Sequence, residues 1–369
     1  MNINFNAGTG KKKGGGVLAG LICLVIATVL LWWNEYNNVQ NIAALSSFEK
    51  EAIEISSEVV NPEYDGKAVT TNGKMTVIDE PLQDSDFAVV SMKTARLKRV
   101  VEMRQWEEKE DTDDNGHTSY HYNEVWSESV LGVPHNAAKD AENSRVQVPC
   151  KTKDYYANDV KVGAYNLSKN QIEGLAINAD LALPSDLYLE GYHKSGTYFT
   201  NSTDLEHPSI GDVRISWKYN DWTEASVAAT ISGNSFVDYK TPNSANSINR
   251  VDKGLLTKAE LVKNQKDENN MLKWILRGVG ALMVFIGYSA IFGGISRLVQ
   301  KIPILGSLVG GIMFLISLLF AVVHALLVII IAWFRYRPVL AIILLAVVIA
   351  AIVGIVILVK KNKNKQQTA

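Results

Sequence analysis

Cysteine is almost absent from this chain of 369 residues. Only Cys23 and Cys150 occur, one in an apolar segment and one in a polar segment, so no disulfide framework can staple the fold. An excess of either charge is missing as well, with 37 Lys and Arg against 38 Asp and Glu. The polar part carries no basic stripe, and without that electrostatic footprint no nucleic-acid partner is expected. Also missing are a phosphate-binding glycine loop, a nucleophile elbow and a metalloprotease helix motif. Among six histidines only His117 and His121 are suggestively spaced, and no cysteine or third histidine joins them as zinc would require. The acidic run at 107–114 lacks the alternating oxygen ligands and central glycine of a calcium loop. It reads as a hydrated hairpin tip. No catalytic, cofactor-binding or metal-ligating residue stands out, no cofactor is expected, and the chain is not read as an enzyme.

What is present is segregated hydrophobicity, hidden by a mean hydropathy of +0.03. Residues 17–33 are uncharged and apolar, just long enough to cross a hydrocarbon core of about 30 Å. Trp32 and Trp33 close this run where a cleaved signal would end in small residues, so it reads as an uncleaved anchor. Three further apolar stretches, 271–296, 304–334 and 339–359, are each long enough to span. Lys11, Lys12 and Lys13 before the first span, and the basic tail at 360–369, place both ends on the cytoplasmic face by the positive-inside rule. Arg297 and Lys301 fall on that face too. Arg335 and Arg337 fall opposite, in a tight hairpin with Trp333 and Tyr336. The expected architecture is a four-helix membrane protein, one N-terminal and three C-terminal transmembrane helices, with residues 1–16 cytoplasmic and 34–270 forming a large extracytoplasmic α+β domain rich in antiparallel sheet.

Within 34–270 the clearest signal is a hairpin. Residues 99–108 run into Asp113, Asp114, Asn115 and Gly116, a favoured tight turn, and return through 118–127. A second hairpin is expected from 212–219 and 225–232, joined through Asn220, Asp221 and Trp222. A short helix is expected at 166–176. Thr257 and Glu260 have the spacing of a capping box opening a polar helix that runs into the membrane at 271–274.

In the spans, His324 is read as the one ionisable residue lying deep. Such groups suggest function because burial in lipid is costly, and the bland alternative is a neutral histidine hydrogen-bonded across the bundle. Gly306, Gly310 and Gly311 form a small-residue face suited to close helix packing or oligomerisation.

The order of these features resembles the LUMA (transmembrane protein 43) family, end to end. The resemblance rests on Trp33, Asn34 and Glu35 closing the first span, though Tyr36 and Asn37 stand where the family typically continues Gly-Arg. It also rests on Glu102, Gln105 and Trp106 with the return strand to Trp126, and on Gly211 and Asp212. The break at 302–306 and the run of Trp333, Tyr336, Arg337 and Pro338 complete it. The resemblance implies four spans with both termini facing cytoplasm or nucleoplasm, and a non-enzymatic role. Animal members of that family sit in the endoplasmic reticulum and inner nuclear membrane and associate with themselves and with envelope proteins; bacterial members would sit in the inner membrane. The expected function is a multi-pass membrane scaffold that organises membrane-bound complexes or membrane domains through its extracytoplasmic domain and self-association. Its partners are then the lipid bilayer, further copies of the chain and other membrane proteins. An oligomeric ion channel or transporter subunit is the alternative, and a membrane-bound enzyme comes third.

Overall fold

The computed structural model describes residues 15–87, 90–112, 118–148, 150–184, 187–299, 306–336, 338–343, 345–347, 349–350 and 353. Its principal helices are α1 (Gly15–Glu51), α2 (Ala137–Ser144), α3 (Lys169–Glu173), α4 (Lys258–Val299) and α5 (Gly306–Tyr336). The chain divides into two compact units. One comprises Met1–Ser47, Lys240–Ser247 and Val262–Ala369, and the other Phe48–Tyr239 and Ile248–Leu261.

In the first unit three helices, over Gly16–Glu51, Lys258–Gly293 and Met313–Phe334, are long and apolar enough to cross a membrane. Of the expected fourth span at 339–359, the described residues 339–343, 345–347, 349–350 and 353 are helical. Leu18, Val25, Leu282 and Leu315 are exposed on the outer faces of these helices. That pattern is a liability in water and ordinary contact surface in lipid. Inside lie Ala27, Leu31, Val284, Ala321, Ala325 and Val328.

Helix α1 does not stop at Trp33 with the apolar run. Residues 21–51 contain neither glycine nor proline, so nothing breaks the backbone where the hydrophobicity ends. Asn34, Asn38 and Asn41 recur at helical spacing and share one face of this extension. Asn34 donates to the Lys273 carbonyl at 3.1 Å, Asn269 donates to Asn38 at 2.9 Å, and Asn41 donates to Asn269 at 2.9 Å. The segment Lys240–Ser247 adds Ser244 donating to the Gln40 carbonyl at 2.8 Å and Asn246 donating to Asn37 at 2.9 Å.

The second unit holds two seven-stranded sheets. The first runs in the order Ile53–Ser56, Ala68–Val77, Val160–Val162, Tyr165–Asn166, Ser235–Val237, Glu224–Ser232 and Arg250–Lys253, and Ala68–Val77 also pairs directly with Glu224–Ser232. Its core is built from Val69, Val160, Tyr165, Val227, Ala229 and Phe236. The second is antiparallel, in the order His193–Ser195, Tyr198–Thr200, Val213–Tyr219, Arg96–Thr112 and Thr118–Ser127. Ala179–Asp180 and Lys153–Tyr156 pair beside it on Val213–Tyr219 and Arg96–Thr112. Leu97, Val101, Phe199, Ile215 and Trp217 form its core.

The long hairpin forms, with Met103 opposite Ser127 and Thr112 opposite Thr118; its tip at 113–117 lies outside the described residues. The second expected hairpin does not form. Strands Val213–Tyr219 and Glu224–Ser232 both exist, but the first pairs with Arg96–Thr112 and the second with Ala68–Val77. The chain therefore changes sheet at 220–223. Short separation favoured local pairing in the sequence, but Glu224–Ser232 is almost wholly buried and finds its apolar neighbours in the other core. The expected short helix and the expected capping box both form. Helix α3 falls within 166–176, and at the start of α4 Thr257 donates to Glu260 from its backbone nitrogen at 2.9 Å.

Candidate functional site

The apolar helices of the first unit enclose several polar residues. An unpaired charge in a low-dielectric interior is prohibitive, so each such group must find partners. Glu35, fully buried on α1, receives Arg277 of α4 in a two-point fork: Nε lies 2.6 Å from Oε1 and Nη2 lies 2.9 Å from Oε2. Trp333 of α5 donates its indole Nε1 to Oε2 at 2.6 Å. The guanidinium lies 4.7 Å from the Trp274 ring centroid and 5.5 Å from that of Trp333. Such contacts suit the weakly hydrated, planar arginine and would not be reproduced by lysine. One carboxylate thus ties three helices together.

A second tie joins the same three helices. The Thr28 hydroxyl donates to the Leu24 carbonyl at 2.7 Å, leaving its oxygen as acceptor for His324 Nε2 at 2.9 Å. With Nε2 as donor, a neutral imidazole has Nδ1 as acceptor, and Tyr288 stands 3.0 Å away to donate its hydroxyl. Along the helices the two ties are separated by 7 to 11 residues, or roughly 10–16 Å at the helical rise. Helices α1 and α4 approach through glycines, Gly280 between the ties and Gly20 beyond Thr28. A Cβ on Gly20 would sit 2.7 Å from the Gly287 carbonyl oxygen, and one on Gly280 would sit 2.5 Å from Leu31.

His324, read as the one ionisable residue lying deep in the spans, is half-buried. Glu35 is fully buried and Arg277 half-buried, and Arg277 escaped notice because it follows Lys273 and Trp274 and reads as an interfacial cation. Asn34 and Trp333 join this polar system, while Trp33 is exposed. Gly306, Gly310 and Gly311 lie in the first turns of α5, but their surroundings are outside the described residues. Tyr336 closes α5, Arg337 is outside the described residues, and Pro338 is exposed.

The remaining motif residues gather on the second sheet. Glu102 and Arg214 face each other across paired strands and form a fork at 2.7 and 3.0 Å. The Trp126 ring lies 4.6 Å from that guanidinium. Gly211, at φ +97 where other residues are strained, turns the chain so that its N–H donates to the Arg104 carbonyl at 2.9 Å. The Arg104 N–H in turn donates to the Asp212 carbonyl at 2.8 Å. Gln105 is fully buried and holds the next segment, donating to the Ser129 carbonyl at 3.0 Å and accepting from Leu131 N at 2.9 Å. Trp106 donates its indole to Glu142 on α2 at 2.6 Å, with the Lys139 ammonium over its ring. These contacts fix the hairpin and do not converge on a reactive centre.

One buried cluster in this unit had no signal in the sequence. Asp84 accepts from Arg99 at 2.6 Å, Tyr155 at 2.8 Å and the Trp217 indole at 2.7 Å. Arg99 also reaches Asp86 at 2.5 Å, and that hydrogen bond holds the Asp86 carboxyl below the usual carboxylate range. Burial pushes the neighbouring Cys150 thiol up, away from the reactive thiolate. Among the described residues no group of three or more histidine, cysteine or acidic side chains is placed to hold a metal. His121 is exposed on the return strand, and His117 lies outside the described residues.

A family model described as Transmembrane protein 43 matches residues 102–338, more than half of the chain. Transmembrane protein 43 of Rattus norvegicus is 24% identical over 351 residues, covering 89% of this chain and 86% of that protein. The Homo sapiens protein of that name is 24% identical over 376 residues, covering 95% and 91%. The Drosophila melanogaster homolog is 25% identical over 342 residues, covering 88% and 89%. No solved structure matches. The matched segment takes in the Glu102 to Asp212 motif residues, Arg277 and Trp333, and the relatives extend the likeness over most of the chain: it is a membrane protein belonging to the transmembrane protein 43 family.

Proposed function

We propose that this protein is a multi-pass membrane scaffold that organises membrane-bound complexes or membrane domains through its extracytoplasmic domain and by self-association. The observation that carries the reading is the mutual engagement of the polar groups in the spans. Both oxygens of Glu35 and both ring nitrogens of His324 are occupied by partners on other helices. Groups committed in this way hold a frame together, whereas a conducting path needs polar groups turned towards water. The proposal includes a fourth span at 339–359, both termini in the cytoplasm, and self-association through Gly306, Gly310 and Gly311.

The test is crosslinking of the full chain in its native membrane, paired with conductance of the purified protein in planar bilayers. A crosslinked ladder that Gly310→Leu shortens, with silent bilayers, is the expected result. Discrete conductance steps would replace the scaffold with the channel reading. A ladder unaltered by Gly310→Leu would move the self-association elsewhere, to the Trp106 and Trp126 hairpin.

A further inference from the structure

The two sheets of the sheet-rich unit end on strands of very different length. Ile53–Ser56 and Arg250–Lys253 bound the first sheet with 4 residues each, and His193–Ser195 bounds one side of the second with 3. Thr118–Ser127 bounds its other side with 10. Native sheets protect their edges by keeping such strands short, or by placing lysine, proline or a bulge in them. Thr118–Ser127 has none of these protections. It holds no lysine, arginine or proline, and its register runs unbroken from Met103 opposite Ser127 to Thr112 opposite Thr118.

Its neighbour shows which backbone groups this edge turns outward. Opposed residues of an antiparallel pair alternately do and do not exchange hydrogen bonds. Arg104 and Trp106 turn theirs away from Thr118–Ser127: the first is bonded to Gly211 and Asp212, and the second donates to Asn143 Oδ1 and accepts from Asn143 Nδ2, both at 2.8 Å. Trp126 and Glu124, which face them, therefore point their own N–H and C=O groups to the free side, and Tyr122 and Tyr120 follow at the two-residue repeat. Among the described residues no hydrogen bond meets these outward groups. The charge of the hairpin says what would pair there. From 103 to 127 the sequence holds seven acidic residues against Arg104 and Lys109, and Glu110, Asp111 and Glu124 are exposed. A basic strand would be drawn to this edge and an acidic one repelled. We propose that the edge takes up an extended segment of a basic partner protein as an added strand of the second sheet. Lysine or arginine at alternate positions of that segment meets Glu124 directly and reaches past Tyr120 to Glu110. The inference goes beyond the scaffold reading and does not rest on it.

The test uses the full chain in nanodiscs of zwitterionic phosphatidylcholine, so that the lipid does not itself attract a basic probe. A rhodamine-labelled peptide of about six residues, an ordinary strand length, carries lysine at every second position with threonine or valine between, and its binding is followed by fluorescence polarisation. Two comparison peptides replace lysine by glutamate, or keep every lysine and methylate alternate backbone nitrogens. The lysine peptide is expected to bind saturably and the glutamate peptide not at all. Methylation should weaken binding by roughly tenfold or more, because it removes several ladder hydrogen bonds and no charge. Tyr122→Pro deletes one outward N–H, a change an edge strand tolerates, and should weaken binding on the same scale with the melting temperature kept. Should that variant fail to fold, Glu124→Lys and the methylated peptide decide. Absence of saturable binding, equal binding of the methylated peptide, or binding of the glutamate peptide overturns the proposal. So does a photocrosslink from position Asn123 to a second copy of the chain, which would give the edge to self-association.

Discussion

Asp84 shows how much one side chain can organise. It is wholly buried, which would be ruinous for a bare carboxylate, yet Arg99, Tyr155 and Trp217 converge on it from separate strands. Asp84→Asn keeps the shape and removes the charge that balances a guanidinium only 1% exposed. The expected cost is about 3–5 kcal/mol, as for breaking a buried pair from one side, read as a lower denaturant midpoint. Asp86 adds a dependence on pH. Its carboxyl is held below its ordinary value by the Arg99 hydrogen bond, so its stabilisation is complete above the ordinary aspartate range. That stabilisation is lost as pH falls through the depressed folded value. Melting temperature should therefore drop below about pH 4, and Asp86→Asn should flatten part of that acid limb. Asp204, Asp221 and Glu260, also held low by their hydrogen bonds, add to the same limb. None of this cluster was legible in the sequence, because its members lie up to 133 residues apart and each alone reads as an ordinary strand or turn residue.

At the scale of elements, local chemistry was legible and long-range choice was not. Thr257 and Glu260 act within a few residues of each other, so their spacing carries the information. Which sheet a strand joins is decided by distant surfaces, and Val213–Tyr219 and Glu224–Ser232 were paired wrongly for that reason. The extension of α1 to Glu51 was hidden because hydrophobicity, not conformation, ends at Trp33. Close packing was sought at Gly306, Gly310 and Gly311, whereas the close approach seen among the described residues runs between α1 and α4 at Gly20, Gly280 and Gly287. Gly20→Leu would push a side chain into the Gly287 backbone. Overpacking of this kind costs about 1–3 kcal/mol, and it should appear as a lower melting temperature in nanodiscs. Ile22→Leu on the exposed face of the same helix should leave melting within error.

For the whole molecule, the alternation of apolar runs and basic ends made the membrane class readable, and the collinear motifs made the family readable. The residue that completes the central tie, Arg277, was not, since its partner lies 242 positions away and nothing in its neighbourhood announces a buried pair. The proposed topology has its own test. Single cysteines at Asn115 and Asn364 should label from opposite faces of sealed membranes, and labelling from one face would undo the proposed four-span arrangement. That the described spans form one fixed frame held by Glu35, Arg277 and Trp333 is tested most directly by a double-substitution cycle. Glu35→Leu, Arg277→Met and the pair together are compared by denaturing-detergent titration of the full chain. Each single change strands a charge and should cost about 3–5 kcal/mol, while the double change should cost far less than their sum. Additive losses, or single changes that leave unfolding unaltered, would mean that the two charges do not hold the spans together.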